Sequence, residues 1–359
     1  MKPVALLPGD GIGKEVMPEV LKLHHLLSGM GLVDFEVDVL AEDATSYLAA
    51  GGVTDFDPLR IRERYSAVLL GALGDPRIPD NRHAKHVIGG LRQRLDLSVN
   101  LRPVRLRDLR HCPLKHVRDE RDVDLVIVRE NTEDIYLGVS GTVRPGQAGH
   151  LALEVAVHSR WAVERALTTA FEIARSRPRR VVTLVDKNNV MIDTGALWHT
   201  RFAEIGASYP EVRREHLLVD AAAMELVRSP QRFDVLVTTN LFGDILSDLA
   251  AQLVGGLGVA PSASYDPADR QFVGVFEAVH GSAHDIAGTG RANPLASIMS
   301  YSLLLHRIGA ARQHQVLEDA VTEVLRGDVL TADLGGNATT AEVGDEVCRR
   351  ITVLWKGHS

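Results

Sequence analysis

The chain is poor in the features that mark secreted, membrane-spanning or nucleic-acid-binding proteins. It has only two cysteines, Cys112 and Cys348, in no CxxC or metal-type spacing. That excludes a disulfide scaffold and predicts free thiols in a reducing compartment. Aromatic residues make up only 5%, and basic residues do not predominate: Lys and Arg total 40 against 47 Asp and Glu, a net charge of −7. No basic run recurs with interleaved aromatics, which argues against nucleic acid as a partner. No apolar run approaches the roughly 20 residues of a membrane span. The first residues, Met1 to Pro8, have too short an apolar core for a signal peptide. The expectation is a cytoplasmic protein with no membrane partner.

What is present is ordinary globular material. A hydrophobic content of 45% over 359 residues suffices for one large α/β unit or two domains. Short apolar runs alternate with amphipathic stretches, the pattern of an α/β fold. Val4–Leu7, Phe35–Leu40, Ala67–Leu70, Val99–Leu101, Leu125–Arg129, Val181–Val185, Leu217–Val219, Val235–Val237 and Val273–Phe276 read as strands. Helices are predicted over Lys14–Met30, Val87–Leu95, Arg160–Arg175, Gly195–Ile205, Leu241–Leu253, Pro294–Arg307, Val316–Leu325 and Ala341–Leu354. Residues 138–158 are turn-rich and then alternate apolar with polar, which suits a half-exposed hairpin or arm. The glycine cluster at 255–258 is a natural crossover between domains.

Several groups carry potential chemistry. Asp244 and Asp248 lie four residues apart, so on a helix both carboxylates project from one face. Like charges at that spacing repel, and two oxygen donors suit a hard cation, Mg2+ or Mn2+. The alternative is an acidic helix start complementing the helix dipole. Arg92, Arg102 and Arg129 come from three elements, and guanidinium forks bind carboxylates in bidentate geometry. Taken singly, each arginine is more often a surface residue than a ligand. Tyr136 and Lys187 are groups that can move protons once burial tunes them, and Asp220 could supply a third metal carboxylate. Gly9-Asp10-Gly11-Ile12-Gly13 follows a strand and opens a helix without the spacing of a dinucleotide fingerprint. The loop from Glu277 to Gly288 has a composition that lets backbone approach a nucleotide.

In order, the chain carries GDGIG at 9–13, NLRP at 100–103, RENTEDIY at 129–136, DKNNV at 186–190, VDAAAM at 219–224, NLFGDILSDL at 240–249 and VHGSAHDIAGTGRANP at 279–294. This series resembles the β-decarboxylating dehydrogenases acting on isopropylmalate, isocitrate, homoisocitrate and tartrate or malate. The resemblance spans essentially the whole chain. It implies two α/β domains on one continuous mixed sheet, residues 1–98 with 256–359 and residues 99–255, with a protruding arm near 138–158 at a homodimer interface. It implies that Arg92, Arg102 and Arg129 clamp the substrate carboxylates. Asp244 and Asp248 would hold the metal with Asp220 of a second subunit. Lys187, also from across the dimer, would help take the hydroxyl proton, with Asp220 nearby. Tyr136 would protonate carbon after CO2 leaves. The cofactor would meet Ile12, Glu277, His280, Gly281, Ser282, Ala283, Asp285, Ile286 and Asn293. An acid at Asp285 would repel a ribose 2′-phosphate, so the resemblance implies NAD.

The chain departs from the isopropylmalate pattern just before Arg92, where family members choose their substrate. Of that apolar pocket only Ile88 keeps its character, while Lys85 and His86 add positive charge. Asn131 also follows the isocitrate, homoisocitrate and tartrate pattern. The expectation is therefore a substituted malate with an anionic group at C3, a carboxylate or a phosphonate. The alternatives are 3-isopropylmalate and a tartrate- or malate-type substrate. A catalytically silent regulatory subunit is the alternative of a different class, but such subunits typically lose clamp, tyrosine or metal residues, and all are retained here.

Overall fold

The structure is a computed structural model that describes residues 2–357. Ten strands form one sheet: β1 (Val4–Leu7), β2 (Val37–Val39), β3 (Ala67–Leu70), β4 (Val99–Arg105), β5 (Asp124–Glu130), β8 (Val181–Asp186), β9 (Arg213–Leu218), β10 (Val235–Thr238), β11 (Pro261–Tyr265) and β12 (Gly274–Ala278). Their order is β2-β1-β3-β12-β11-β4-β5-β10-β8-β9. The two flanks are parallel and the middle, β12 through β5, is antiparallel, so the sheet is mixed and continuous. Short all-apolar runs such as Val4–Leu7 are buried on both faces, as parallel strands under helices must be. The two-residue strand period divides them between cores. Val4, Leu6 and Leu69 join the larger cluster, and Ala5, Leu7, Val68 and Leu70 the smaller one on the other face.

The long amphipathic helices fall where the periodicity places them, within a few residues: Gly13–Gly29, Arg160–Ser176, Ile192–Gly206, Asn240–Gln252, Leu295–Arg307, Ala311–Leu325 and Thr340–Gly357. Two readings need correction. The strand expected at Leu217–Val219 instead runs Arg213–Leu218, because Val219 already begins the helix Val219–Arg228 and puts Asp220 in its first turn. The segment Val87–Leu95 is not one α-helix: a π-turn over Lys85–Gly89 precedes a short helix Gly90–Arg94. Such widened turns re-aim side chains and recur at functional sites.

The remaining two strands, β6 (Ser140–Val143) and β7 (Leu151–Glu154), form an antiparallel hairpin whose residues are all exposed. No helix among the described residues is long and apolar enough to cross a membrane.

Candidate active site

Three arginines meet in one cleft of about 250 Å³ beside the antiparallel middle of the sheet. Arg92 comes from the helix Gly90–Arg94, Arg102 from β4 and Arg129 from β5. Leu73, Ile88, Tyr136, Asp244, Glu277 and His280 share the lining. Adjacent antiparallel strands bring Arg102 and Arg129 together, since Arg102 pairs with Ile127 and Asn100 with Arg129. Gly243 lets the helix Asn240–Gln252 close onto them: a Cβ there would lie 2.6 Å from Cγ of Arg129.

The hydrogen bonds hold these side chains in place. Arg129 donates to Asn240 Oδ1 at 2.8 Å and to Asp244 Oδ1 at 2.5 Å, and its guanidinium lies 5.1 Å from the centre of the Tyr136 ring. Arg102 donates to Asn100 Oδ1 and Ser247 Oγ, both at 2.6 Å, and approaches Asp244 at 3.2 Å and Asp248 at 3.4 Å. Arg92 donates to Glu277 Oε1 at 2.8 Å. The Tyr136 hydroxyl donates to Asp244 Oδ2 at 2.9 Å.

The arginines pair with carboxylates, yet they also crowd one another. Burial, then Arg102 and Arg92, pull the Arg129 guanidinium down to about 10, and burial also lowers Arg102. Two buried, mutually repelling guanidinium groups call for an anion with more than one carboxylate. Burial alone would raise Asp244, but Arg129, Arg102, the Tyr136 hydroxyl and Arg92 outweigh it and hold this carboxyl below its ordinary value. Asp248 goes the other way: burial raises it, Arg102 offsets part, and Asp244 adds to the rise. A carboxylate whose ionisation is disfavoured by burial, and further by a neighbouring carboxylate, gains from a cation held between the two. Asp244 and Asp248 thus fit a hard divalent ion. Burial raises Tyr136, with Asp244 adding to the rise against Arg129. The phenol therefore stays protonated and can act as an acid.

A second cavity, of about 350 Å³, adjoins this cleft and shares His280 with it. Ile12, Ile286 and Asn293 line it with Gly258, Arg291, Ala292 and Asp333. The first glycine loop forms its floor. Ile12 N–H donates to the Ser282 carbonyl at 2.9 Å, and Gly11 (φ +52°) stands where a Cβ would collide with that carbonyl. Asp10 latches the loop by accepting from Ala44 N–H, Gly74 N–H and His83 Nε2 at 2.8–2.9 Å. Asn293 donates to Asp333 at 3.0 Å and caps Leu295 N–H. An apolar slot with one amide and one carboxylate at its wall fits an adenosine, and NAD would lie from this slot toward His280.

Not every candidate residue falls within these two cavities. Glu277 and Gly281 line the arginine cleft instead of the slot, and Asp285 is exposed beside Ile286. Ser282 supports the glycine loop, and the Ala283 carbonyl accepts from Ile286 N–H at 3.1 Å. Lys187 and Asp220 pair with each other at 2.5 Å, outside the cleft's lining. Lys85 and His86 are exposed, and His86 Nε2 donates to the Phe56 carbonyl at 3.2 Å. Asn131 is buried and donates to the Leu97 carbonyl at 2.9 Å. Arg291, Asp333 and Gly258 were not among the cofactor residues expected from the sequence. Arg291 is two residues from Asn293, whereas Gly258 and Asp333 lie far from it in the chain and only the fold brings them there.

The family model described as isocitrate/isopropylmalate dehydrogenase matches residues 3–347. The chain belongs to this family. A 3-isopropylmalate dehydrogenase of Streptomyces coelicolor is 43% identical over 353 residues, covering 97% of this chain and 98% of that one. One from Thermobifida fusca is 40% identical over 348 residues, covering 97% of each. Among solved structures, isocitrate dehydrogenase from Methylococcus capsulatus superposes with a TM-score of 0.85 at 35% identity, over 98% of this chain and 99% of that one. Membership makes the protein an NAD-dependent decarboxylating dehydrogenase, of a family that uses NAD and a divalent metal.

Proposed function

We propose that the protein oxidatively decarboxylates a malate carrying a substituent at C3. The observation that carries this reading is the three-arginine clamp sharing one cleft with Asp244, with Asp248 beside Arg102. Arg92, Arg102 and Arg129 would bind and orient the two carboxylates, and their desolvation would be compensated when the dianion enters. A divalent ion held by Asp244 and Asp248 would supply the Lewis acidity for the 2-hydroxyl, and NAD would accept the hydride. Tyr136, protonated and aligned by Asp244, would deliver a proton to C3 after CO2 departs.

The substituent is best read as apolar. The cleft wall next to Arg92 is Leu73 and Ile88, and no cation lines it beyond the clamp itself. Lys85 is exposed and absent from the cleft wall, and His86 is spent on Phe56, so the charge that suggested an anionic C3 group lies outside the cleft. A branched alkyl group, as in 3-isopropylmalate, fits such a wall, and the curated relatives carry that substrate in their name. NAD reduction with a panel of 3-substituted malates, with and without chelator, tests both levels. The expected result is metal-dependent turnover with kcat/KM for 3-isopropylmalate about tenfold or more above isocitrate. A preference for isocitrate or homoisocitrate would restore the anionic reading.

Lys187 and Asp220 would serve the site of a second copy, making the active unit a homodimer. In support, Val190 and Ile192 follow Lys187 and are more than 60% exposed, as is Met224 after Asp220, and Ile245 is exposed on the metal-pair helix. That much apolar surface around two catalytic groups suits burial against another chain. The two domains, residues 1–98 with 256–359 and residues 99–255, would close over the cleft and exclude water.

A further inference from the structure

Asp186, His199 and His216 bring three ligand atoms within 4.8 Å of one another. Asp186 ends β8, one residue before Lys187, and is buried. His216 stands on the adjacent strand β9 and His199 on the helix Ile192–Gly206. His216 Nε2 lies 2.9 Å from Asp186 Oδ1, and His199 Nε2 lies 3.0 Å from Oδ2. The imidazole rings meet edge to face with centres 4.3 Å apart.

The simplest account is a carboxylate pinned by two imidazole N–H groups. The geometry supports only half of it. Oδ1 accepts from His216 and from the Asn188 backbone N–H. Oδ2 is buried without a hydrogen-bond partner. His199 Nε2 also lies 2.9 Å from the Asn188 amide nitrogen, which can only donate. In this arrangement Nε2 accepts from Asn188, and no hydrogen bond joins His199 to Oδ2. A buried carboxylate oxygen facing an imidazole lone pair is an arrangement of two acceptors with nothing between them.

We propose that Asp186, His199 and His216 form a second divalent-metal site, for a borderline-soft cation such as Zn2+ or Co2+. Two imidazoles and one carboxylate match such ions, whereas the all-oxygen Asp244–Asp248 pair suits Mg2+ or Mn2+. Both histidines are partly exposed, which gives the ion a route in and leaves a coordination position for water. On binding, His199 exchanges its Asn188 contact for the ion, and Oδ2 gains its missing partner. The ion would tie the end of β8, and with it Lys187, to β9 and to the following helix.

The test uses the full-length protein in excess Mg2+, titrated with Co2+ and followed by visible absorption. Nitrogen-ligated, low-coordinate cobalt absorbs strongly, and Mg2+ saturates the oxygen site. The expected result is one Co2+ per chain that Mg2+ does not displace. It should survive in the double variant Asp244→Asn, Asp248→Asn and weaken about tenfold or more in His199→Asn. His216→Asn should behave like His199→Asn, and circular dichroism confirms that each variant is folded. Complete displacement of Co2+ by Mg2+, or unchanged binding in folded His199→Asn, would overturn the proposal. Neither outcome depends on which malate the enzyme oxidises.

Discussion

Gly243 carries no side chain, and Arg129 occupies the space one would fill. In Gly243→Ala the new methyl would press on Cβ and Cγ of Arg129, at 2.7 and 2.6 Å. Arg129 is fully buried and cannot swing away, so either the helix shifts or the clamp opens. The expected cost is about 1–3 kcal/mol of stability, with KM for the malate rising more than kcat falls. Unchanged KM and melting temperature would contradict this packing. Asp248 supplies the residue-scale pH dependence. Its folded-state pKa is raised above 3.8 by burial and by Asp244, so in mildly acidic solution a proton competes with the metal for it. Asp244, held below its ordinary value, remains ionised and adds no such dependence. The sign is therefore fixed: metal affinity rises with pH through the raised pKa. Mg2+ should stabilise the protein more at about pH 7 than at about pH 5. Differential scanning fluorimetry with and without Mg2+ checks it, and an equal shift at both values would refute it.

At the scale of elements, what the sequence disclosed depended on whether burial and periodicity agreed. β1 and β3 were legible because their runs are wholly apolar, and β5 because its middle, Leu125 to Val128, is. β11 was not. Pro261-Ser262-Ala263-Ser264-Tyr265 is polar and Pro-headed, yet it is buried at the centre of the sheet. Its serine hydroxyls are satisfied by partners no local pattern reveals: Ser262 donates to the Glu277 carbonyl, and Ser264 accepts from Asn100. The metal pair and the clamp were visible as motifs, while Asp333 reaches Asn293 only through the three-dimensional path of the chain. The arm of β6 and β7 was anticipated, and its exposure invites a test. An isolated two-stranded hairpin is marginal in water. Leu151 and Leu153 share one face of β7 and are both more than half exposed. In a monomer, Leu151→Asp with Leu153→Asp would change stability by no more than about 0.5 kcal/mol per site. If the arm packs against a second copy, the double variant should sediment as a monomer at concentrations where the parent is a dimer. A parent that is itself monomeric would dispose of the interface.

At the scale of the whole molecule, the division of labour between chains can be read from mixed dimers. The clamp, Tyr136 and Asp244 share one cleft, whereas Lys187 pairs with Asp220 outside it. Lys187→Ala should inactivate both sites of its homodimer, and Asp244→Asn should do the same to its own. Unfolded together and refolded at equal amounts, about half of the dimers should be mixed. In a mixed dimer one cleft keeps Asp244 from the Lys187→Ala chain and receives an intact Lys187 from the other chain, while the second cleft lacks both. One functional site in half of the dimers restores about a quarter of the parental activity. Were Lys187 to act on its own chain's cleft, each cleft of every mixed dimer would lack either Lys187 or Asp244, and mixing would restore nothing. The assay therefore separates a shared site from a self-contained one without requiring the natural substrate, since any malate that the parent turns over will report it.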